Sequence, residues 1–175
     1  MAAIQINRLS NANVYSSGNN SLLGKVEEIT LPAVKSKNVD VKALGLIMDI
    51  ELPSGFEKMG GKMKWNAVYP ELFTEFGSPF KTKQIQVRAN LETYDSSGRT
   101  SEKSVVAFLT IRFKDVLPPL GFKMNDNPEQ ESEFSCSYYR LEIDGVRKLE
   151  IDAFANIFFV DDNDELGTYR KNLGF

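Results

Sequence analysis

The chain has 175 residues, 42% hydrophobic and 26% charged, with a formal net charge of −3 and a pI near 5.2. That length suits one domain, burying about two thirds of its unfolded surface, and the absence of a basic excess argues against nucleic acid as a standing partner. A single cysteine, Cys136, and no histidine exclude an internal disulfide, a tetrahedral N/S zinc site, and Ser-His-Asp or Cys-His machinery.

Residues 1–8 have no charged region followed by an apolar one, so no secretory signal is expected. No apolar run approaches the roughly 20 residues that span a bilayer, so no membrane anchor is expected. The first dozen residues are polar and mixed and read as a loose arm. Asn13-Val14-Tyr15, a turn-forming cluster at residues 16–21 and an extended stretch at 22–31 read as a hairpin, ended by Pro32.

Residues 33–66 read as a long hairpin or loop excursion. Residues 34–41 and 46–52 alternate in part, Pro53-Ser54-Gly55 reads as a turn, and Gly60-Gly61 as a bend or bulge. The aliphatics Leu44, Leu46, Ile47 and Met48 need a cover, supplied either by an edge of the same domain or by another molecule. Tyr69, Leu72, Phe73 and Phe76 share one helical face, with Pro70 near the start and Gly77 as the stop.

Long strands follow. In residues 83–94, Ile85, Val87, Ala89 and Leu91 alternate with Gln84, Gln86, Arg88, Asn90 and Glu92, which predicts a half-buried strand with one wet face. Residues 95–99 form a turn. Residues 104–115 repeat the pattern, with Val105, Ala107, Leu109, Ile111 and Phe113 in phase, and Pro118-Pro119 ends the strand. Residues 125–133 read as a polar, acidic loop. Residues 134–143 and 147–151 form a hairpin about Asp144-Gly145, a type I′ signal. Residues 155–160 are apolar, and an acidic run at 161–165 opens a short tail.

None of the polar clusters calls for chemistry. The run Asp161-Asp162-Asn163-Asp164-Glu165 lacks EF-hand grammar and reads as a solvated turn. Glu129, Glu131 and Glu133 sit in a polar stretch with no apolar pocket to separate their pKa values. Cys136, flanked by strand aromatics, reads as a core or interface residue. No catalytic residue, metal or cofactor is expected.

Two segments carry a resemblance. One is Asn13-Val14-Tyr15, Gly18-Asn19, then Gly24-Lys25-Val26 closing in Thr30-Leu31-Pro32. The other is Ser137-Tyr138-Tyr139-Arg140-Leu141-Glu142-Ile143-Asp144-Gly145, continuing into Leu149-Glu150-Ile151-Asp152. In order and spacing they resemble the major tail tube proteins of contractile-tailed, P2-like phages and R-type pyocins. The ending Asn172-Leu173-Gly174-Phe175 is similar to the family's too, with Phe175 in place of the usual leucine.

The resemblance implies a mainly β fold: one antiparallel β-sandwich or half-barrel domain over residues 1–175 with one flanking helix, an arm at 1–12 and the excursion at 33–66. It implies a structural subunit whose hexameric rings stack into a hollow conduit inside a sheath. The partners it implies are further copies of the chain, the tail sheath protein, baseplate, tape-measure and tail terminator proteins, and DNA in transit. It implies assembly in the bacterial cytoplasm into the virion tail. Under this reading Gln84, Gln86, Arg88, Asn90, Glu92, Thr110, Arg112 and Lys114 are candidates for the lumen face; the other reading is an ordinary solvated surface. Leu44, Leu46, Ile47 and Met48 are candidates for ring contacts. The rival class is a carbohydrate- or receptor-binding β-sandwich, for which aromatic strand residues such as Tyr138, Tyr139, Phe154, Phe158 and Phe159 would serve.

Overall fold

The computed structural model describes residues 4–16, 20–115 and 130–175. In chain order its elements are β1 (Ile6–Ser16), β2 (Asn20–Ser21), β3 (Val26–Thr30), β4 (Ser36–Val41), β5 (Ile50–Phe56), β6 (Met59–Trp65), α1 (Pro70–Phe76), β7 (Lys83–Asp95), β8 (Gly98–Phe113), β9 (Gln130–Ile143), β10 (Val146–Asp152), β11 (Ile157–Val160), β12 (Asn163–Asp164) and α2 (Gly167–Leu173). All strand pairings are antiparallel, as expected, and the chain is mainly β.

The main sheet runs β12-β11-β10-β9-β8-β7-β1-β2 and forks at β9. One edge of β9 follows β8. The other pairs β10 from Tyr138 to Ile143 and β6 from Gln130 to Cys136, and β6 in turn carries β3. The fork lets the sheet curl, so that Met63 and Trp65 of β6 share one core with Ile85, Val87, Leu109, Ile111 and Phe134. The inward residues are those predicted by alternation: Ile85, Leu109 and Ile111 are about 1–2% exposed. Burying each such side chain contributes roughly 1.5–3 kcal/mol.

Helix α1 closes the core. Pro70 occupies its first turn, where a missing N–H costs nothing, and the Gly77 N–H ends it on the Phe73 carbonyl at 3.0 Å. Leu72 and Phe76 face inward, and Phe76 packs 6.0 Å from Trp65 and 5.0 Å from Phe113, ring centre to ring centre. The Ser16 hydroxyl, fully buried, donates to the Glu75 carboxylate and ties α1 to β1.

Several expectations are corrected. Residues 6–12 are no loose arm: they are the first half of β1, paired to β7 from Ile6↔Tyr94 onward. That half is exposed on both faces, so burial left no alternation to read. The hairpin expected over residues 13–31 is limited to Tyr15↔Ser21 and Ser16↔Asn20; β3 leaves to pair with β6. Pro53-Ser54-Gly55 is not a turn but part of β5, in a two-stranded ribbon whose open edges tolerate proline. Gly60-Gly61 is central strand, not a bend. Residues 130–133 belong to β9. The tail forms a second helix, α2, beside the one predicted, capped by Gly174 in the left-handed region (φ 83°). The Asp144-Gly145 hairpin is as expected, with both residues at positive φ (54° and 76°). The Pro118-Pro119 stop, Glu129 and the centre of the 16–21 turn lie outside the described residues.

Candidate assembly surfaces

Cross-strand register brings most of the predicted wet-face residues onto one surface. Gln84, Thr110 and Tyr138 stand in one row across β7, β8 and β9. Gln86, Phe108 and Arg140 make the next, and Arg88, Val106 and Glu142 the third. Phe108, Val106, Tyr138, Arg140 and Glu142 thus belong to the same face. Sequence reasoning missed them because alternation assigns a face within a strand and says nothing about register between strands. The rows border a depression of about 410 Å³ lined by Gln84, Gln86, Phe108, Thr110, Tyr138, Arg140 and Glu142.

The charges on this face are of both signs and most are engaged with one another, while Arg88 lies 5.6 Å from the Tyr15 ring centre. Arg140 pairs with Glu142, and its guanidinium lies 5.9 Å from the Phe108 ring centre. Arg147 donates to Glu150 at 2.6 Å and to Asp162 at 2.7 Å, and stacks 3.9 Å over Phe159. The Tyr138 hydroxyl donates to Glu150 at 2.9 Å; burial, and then that carboxylate, push the phenol up to about 12. Burial alone would raise the Glu150 carboxyl, but the hydrogen bonds from Arg147 and Tyr138 outweigh it and hold Glu150 below the usual range. Asn90 spans Ser10 and Glu102 through its amide.

Three predicted residues depart from the simple row. Glu92 keeps the strand parity but is only 7% exposed, covered by Tyr94 and Arg99, which donate to it at 3.0 and 3.1 Å. Lys114 pairs with Glu133 at 3.1 Å, and Glu133 also faces Lys62, whose ammonium is 2.7 Å from Glu131. These glutamates form a surface ladder on β9, and each such exposed pair contributes about 0–1 kcal/mol. Arg112 lines a separate groove at the fork of β9.

That groove holds about 930 Å³. Its walls come from the base of the β4–β5 ribbon (Phe56), the start of β6 (Met59), the β9 fork (Cys136), the β10–β11 turn (Phe154) and α2 (Tyr169). The Cys136 thiol donates to the Tyr138 carbonyl at 2.9 Å, and burial pushes it up to about 12, which makes it a packing residue and not a nucleophile. The three aspartates of the acidic run pair with the chain's own cations: Asp161 with Lys148 and Asp162 with Arg147, at 2.6 and 2.7 Å, and Asp164 with Arg170.

The β4–β5 ribbon stands apart. Among the described residues its strands pair only with each other, and every residue of β5 is exposed. At the tip Leu44 and Ile47 are fully exposed, Met48 is 66% and Leu46 48% exposed. At the base Phe56 packs on Phe158 at 4.6 Å between ring centres. Among the described residues the outer edge of β1 is also open: β2 covers only Tyr15 and Ser16.

The family model described as phage tail tube protein FII matches residues 6–174, and the chain belongs to that family. It is a structural tail tube protein, not an enzyme. The chain is 26% identical to the tail tube protein of Escherichia phage P2 over 174 residues, covering 95% of this chain and 96% of the relative. Among solved structures it is similar to a sheath/tube terminator structure of the extracellular contractile injection system PVC, in the extended state. The TM-score is 0.48 and the identity 15%, with 76% of this chain and 94% of the other covered. It is also similar to a sheath-tube complex of that system, with a TM-score of 0.47, 15% identity, and coverage of 75% and 87%.

Proposed function

We propose that this protein is the repeating unit of a contractile-tail tube. Six copies close into a ring, rings stack head to tail, and the stack forms a hollow conduit within a sheath. Contraction of the sheath drives the tube through the target envelope, and in a phage the genome passes down it. The protein does no chemistry in this role; the sheath supplies the work.

The observation that carries the reading is the β4–β5 ribbon, whose apolar tip has no cover among the described residues of its own chain. An exposed aliphatic cluster of this kind marks a protein contact. The open β1 edge supports the same reading, because joining sheets edge to edge into a barrel removes a hazard that a lone sheet would carry. Ring closure is a heterologous interface whose rotation closes, and stacking is one that does not, which gives a filament. The polar rows of Gln84, Gln86, Arg88, Asn90 and Thr110 suit a lumen. With Arg140 and Glu142 of the same rows the face has mixed charge, which would neither hold DNA nor bar it. Sheath, baseplate, tape-measure and terminator proteins are the remaining partners, assembled with the tube in the host cytoplasm.

Trimming the ribbon tests this. Val41 and Ile50 are paired, so replacing residues 42–49 by Asn-Gly leaves a two-residue hairpin turn. The trim stops well short of β6, whose Met59 is core. The trimmed protein is expected to fold within about 0.5 kcal/mol of the parent and to form no filaments. Filaments of normal length from the trimmed protein would refute the assignment of the stacking contact to the ribbon.

A further inference from the structure

We infer that the tip of the β4–β5 ribbon seats in the fork groove of a second copy of this chain, so that one subunit carries both halves of the stacking contact. This rests on the tube reading and adds to it the surface that receives the ribbon. Three observations carry it.

The first is fit. The groove holds about 930 Å³ and is lined largely by apolar groups, among them Phe56, Met59, Ile151, Phe154, Ile157 and Tyr169. The tip offers Leu44, Leu46, Ile47 and Met48, all exposed.

The second is reach. The groove opens at the foot of the ribbon, where Ser36 and Phe56 pair. The tip begins beyond the Val41–Ile50 pair, about 17 Å further along at the rise of an antiparallel strand. A paired ribbon cannot fold back on its own foot, so a tip that enters this groove enters another copy's. Such a contact joins unlike surfaces and propagates.

The third is charge. Asp40 and Glu51 lie directly opposite each other on the ribbon, a like-charge pair that disfavours the hairpin, and neither enters an ion pair among the described residues. At the groove Lys58 and Arg112 are likewise without an ion-pair partner among the described residues. The two anions there are Glu57 and Asp152, and the Asp152 carboxylate is taken by the amides of Phe154 and Ala155 at 2.8 and 3.1 Å. Laid along this rim, the Asp40–Glu51 pair is relieved of its own repulsion and meets both cations.

Two experiments test the pairing on full-length protein assembled into tubes. In the first, Ile47→Cys and Phe154→Cys are combined and treated with a short bismaleimide; both positions are exposed, so neither change burdens the fold. Native Cys136 is buried and serves as the wild-type control. A ladder of covalent multimers from the double variant, absent from wild type and from either single variant, is expected. Tubes that form normally but give no ladder overturn the groove assignment and leave the tube reading standing. Cross-linking by Ile47→Cys alone means tip meets tip and overturns it too. In the second, Arg112→Glu is expected to cut tube yield at least about tenfold through like-charge repulsion with Asp40 and Glu51, and Asp40→Lys in the same chain is expected to restore it. Arg112→Glu with undiminished yield, or without rescue, overturns the pairing. Wild-type protein that forms no tube even on a baseplate refutes the tube reading itself.

Discussion

Gly61→Ala gives the sharpest test of the fold. Gly61 sits in the middle of β6, between β3 and β9. A Cβ built there lies 2.3 Å from the Thr30 carbonyl oxygen and 2.5 and 2.9 Å from two ring carbons of Phe134. None of these can yield cheaply. Thr30 is the backbone of the neighbouring strand, and Phe134 is fully buried, packed edge-on to Phe113 at 6.1 Å. Relief needs β3 to move off β6 or the ring to leave its rotamer. Overpacking of this kind costs about 1–3 kcal/mol, and a clash with backbone belongs in the upper half of that range. For a chain of this size about 2–3 kcal/mol lowers the unfolding midpoint by roughly 4–12 °C. Gly60→Ala is the control: its Cβ would meet one atom, the Phe134 carbonyl, at 3.0 Å, so the loss should be smaller. The assay is thermal or urea unfolding of the unassembled subunit. Gly61→Ala within 0.5 kcal/mol of wild type, or no worse than Gly60→Ala, would refute the packing of β3 and Phe134 against β6.

Acid should destabilise the subunit while neutral pH does not. With no histidine, little titrates between about pH 6 and 8, so the midpoint should be flat there. Glu150 is held below its ordinary range in the folded state, so the stability it contributes is present above its unfolded pKa and is lost as pH falls through the depressed value. Thermal scans from neutral to acid pH should show this fall, weakened in Glu150→Gln; an identical acid slope in that variant would contradict the assignment. Arg170 anchors α2, which has no buried residues, by donating to Asp164 and to the Asn156 carbonyl. Arg170→Ala should speed amide exchange in residues 167–173 and leave β7 and β8 unchanged; unchanged protection of α2 would mean other contacts hold it. Gln84→Lys with Gln86→Lys should slow DNA passage without blocking assembly, and normal ejection kinetics would count against a lumen placement. These positions serve better than Asn90, whose amide already bridges Ser10 and Glu102.

Alternation was legible wherever one face of a strand meets the core. Ile85 and Val87, and Leu109 through Phe113, carry it because inward positions are apolar and outward ones polar. It fails where that rule is broken. At the start of β9 the inward residues are Gln130 and Ser132, with Ser132 accepting the Trp65 indole N–H, so the segment looked like loop. In β6 two glycines sit where β3 and Phe134 press close, and composition read as flexibility what is close approach. Helix α2 buries no side chain and so has no amphipathic stripe; its one signal is Gly174 after the last turn. The ribbon residues were readable as exposed aliphatics. The groove was not, because Phe56, Cys136, Phe154 and Tyr169 are far apart in sequence and meet only through the fork.

Whether this chain builds a tube is decided by negative-stain electron microscopy of the purified protein, alone and with a baseplate preparation. Hollow filaments with sixfold end views are expected, growing from the baseplate where they do not form alone. A subunit that stays monomeric or a small closed oligomer in both conditions would contradict the tube reading.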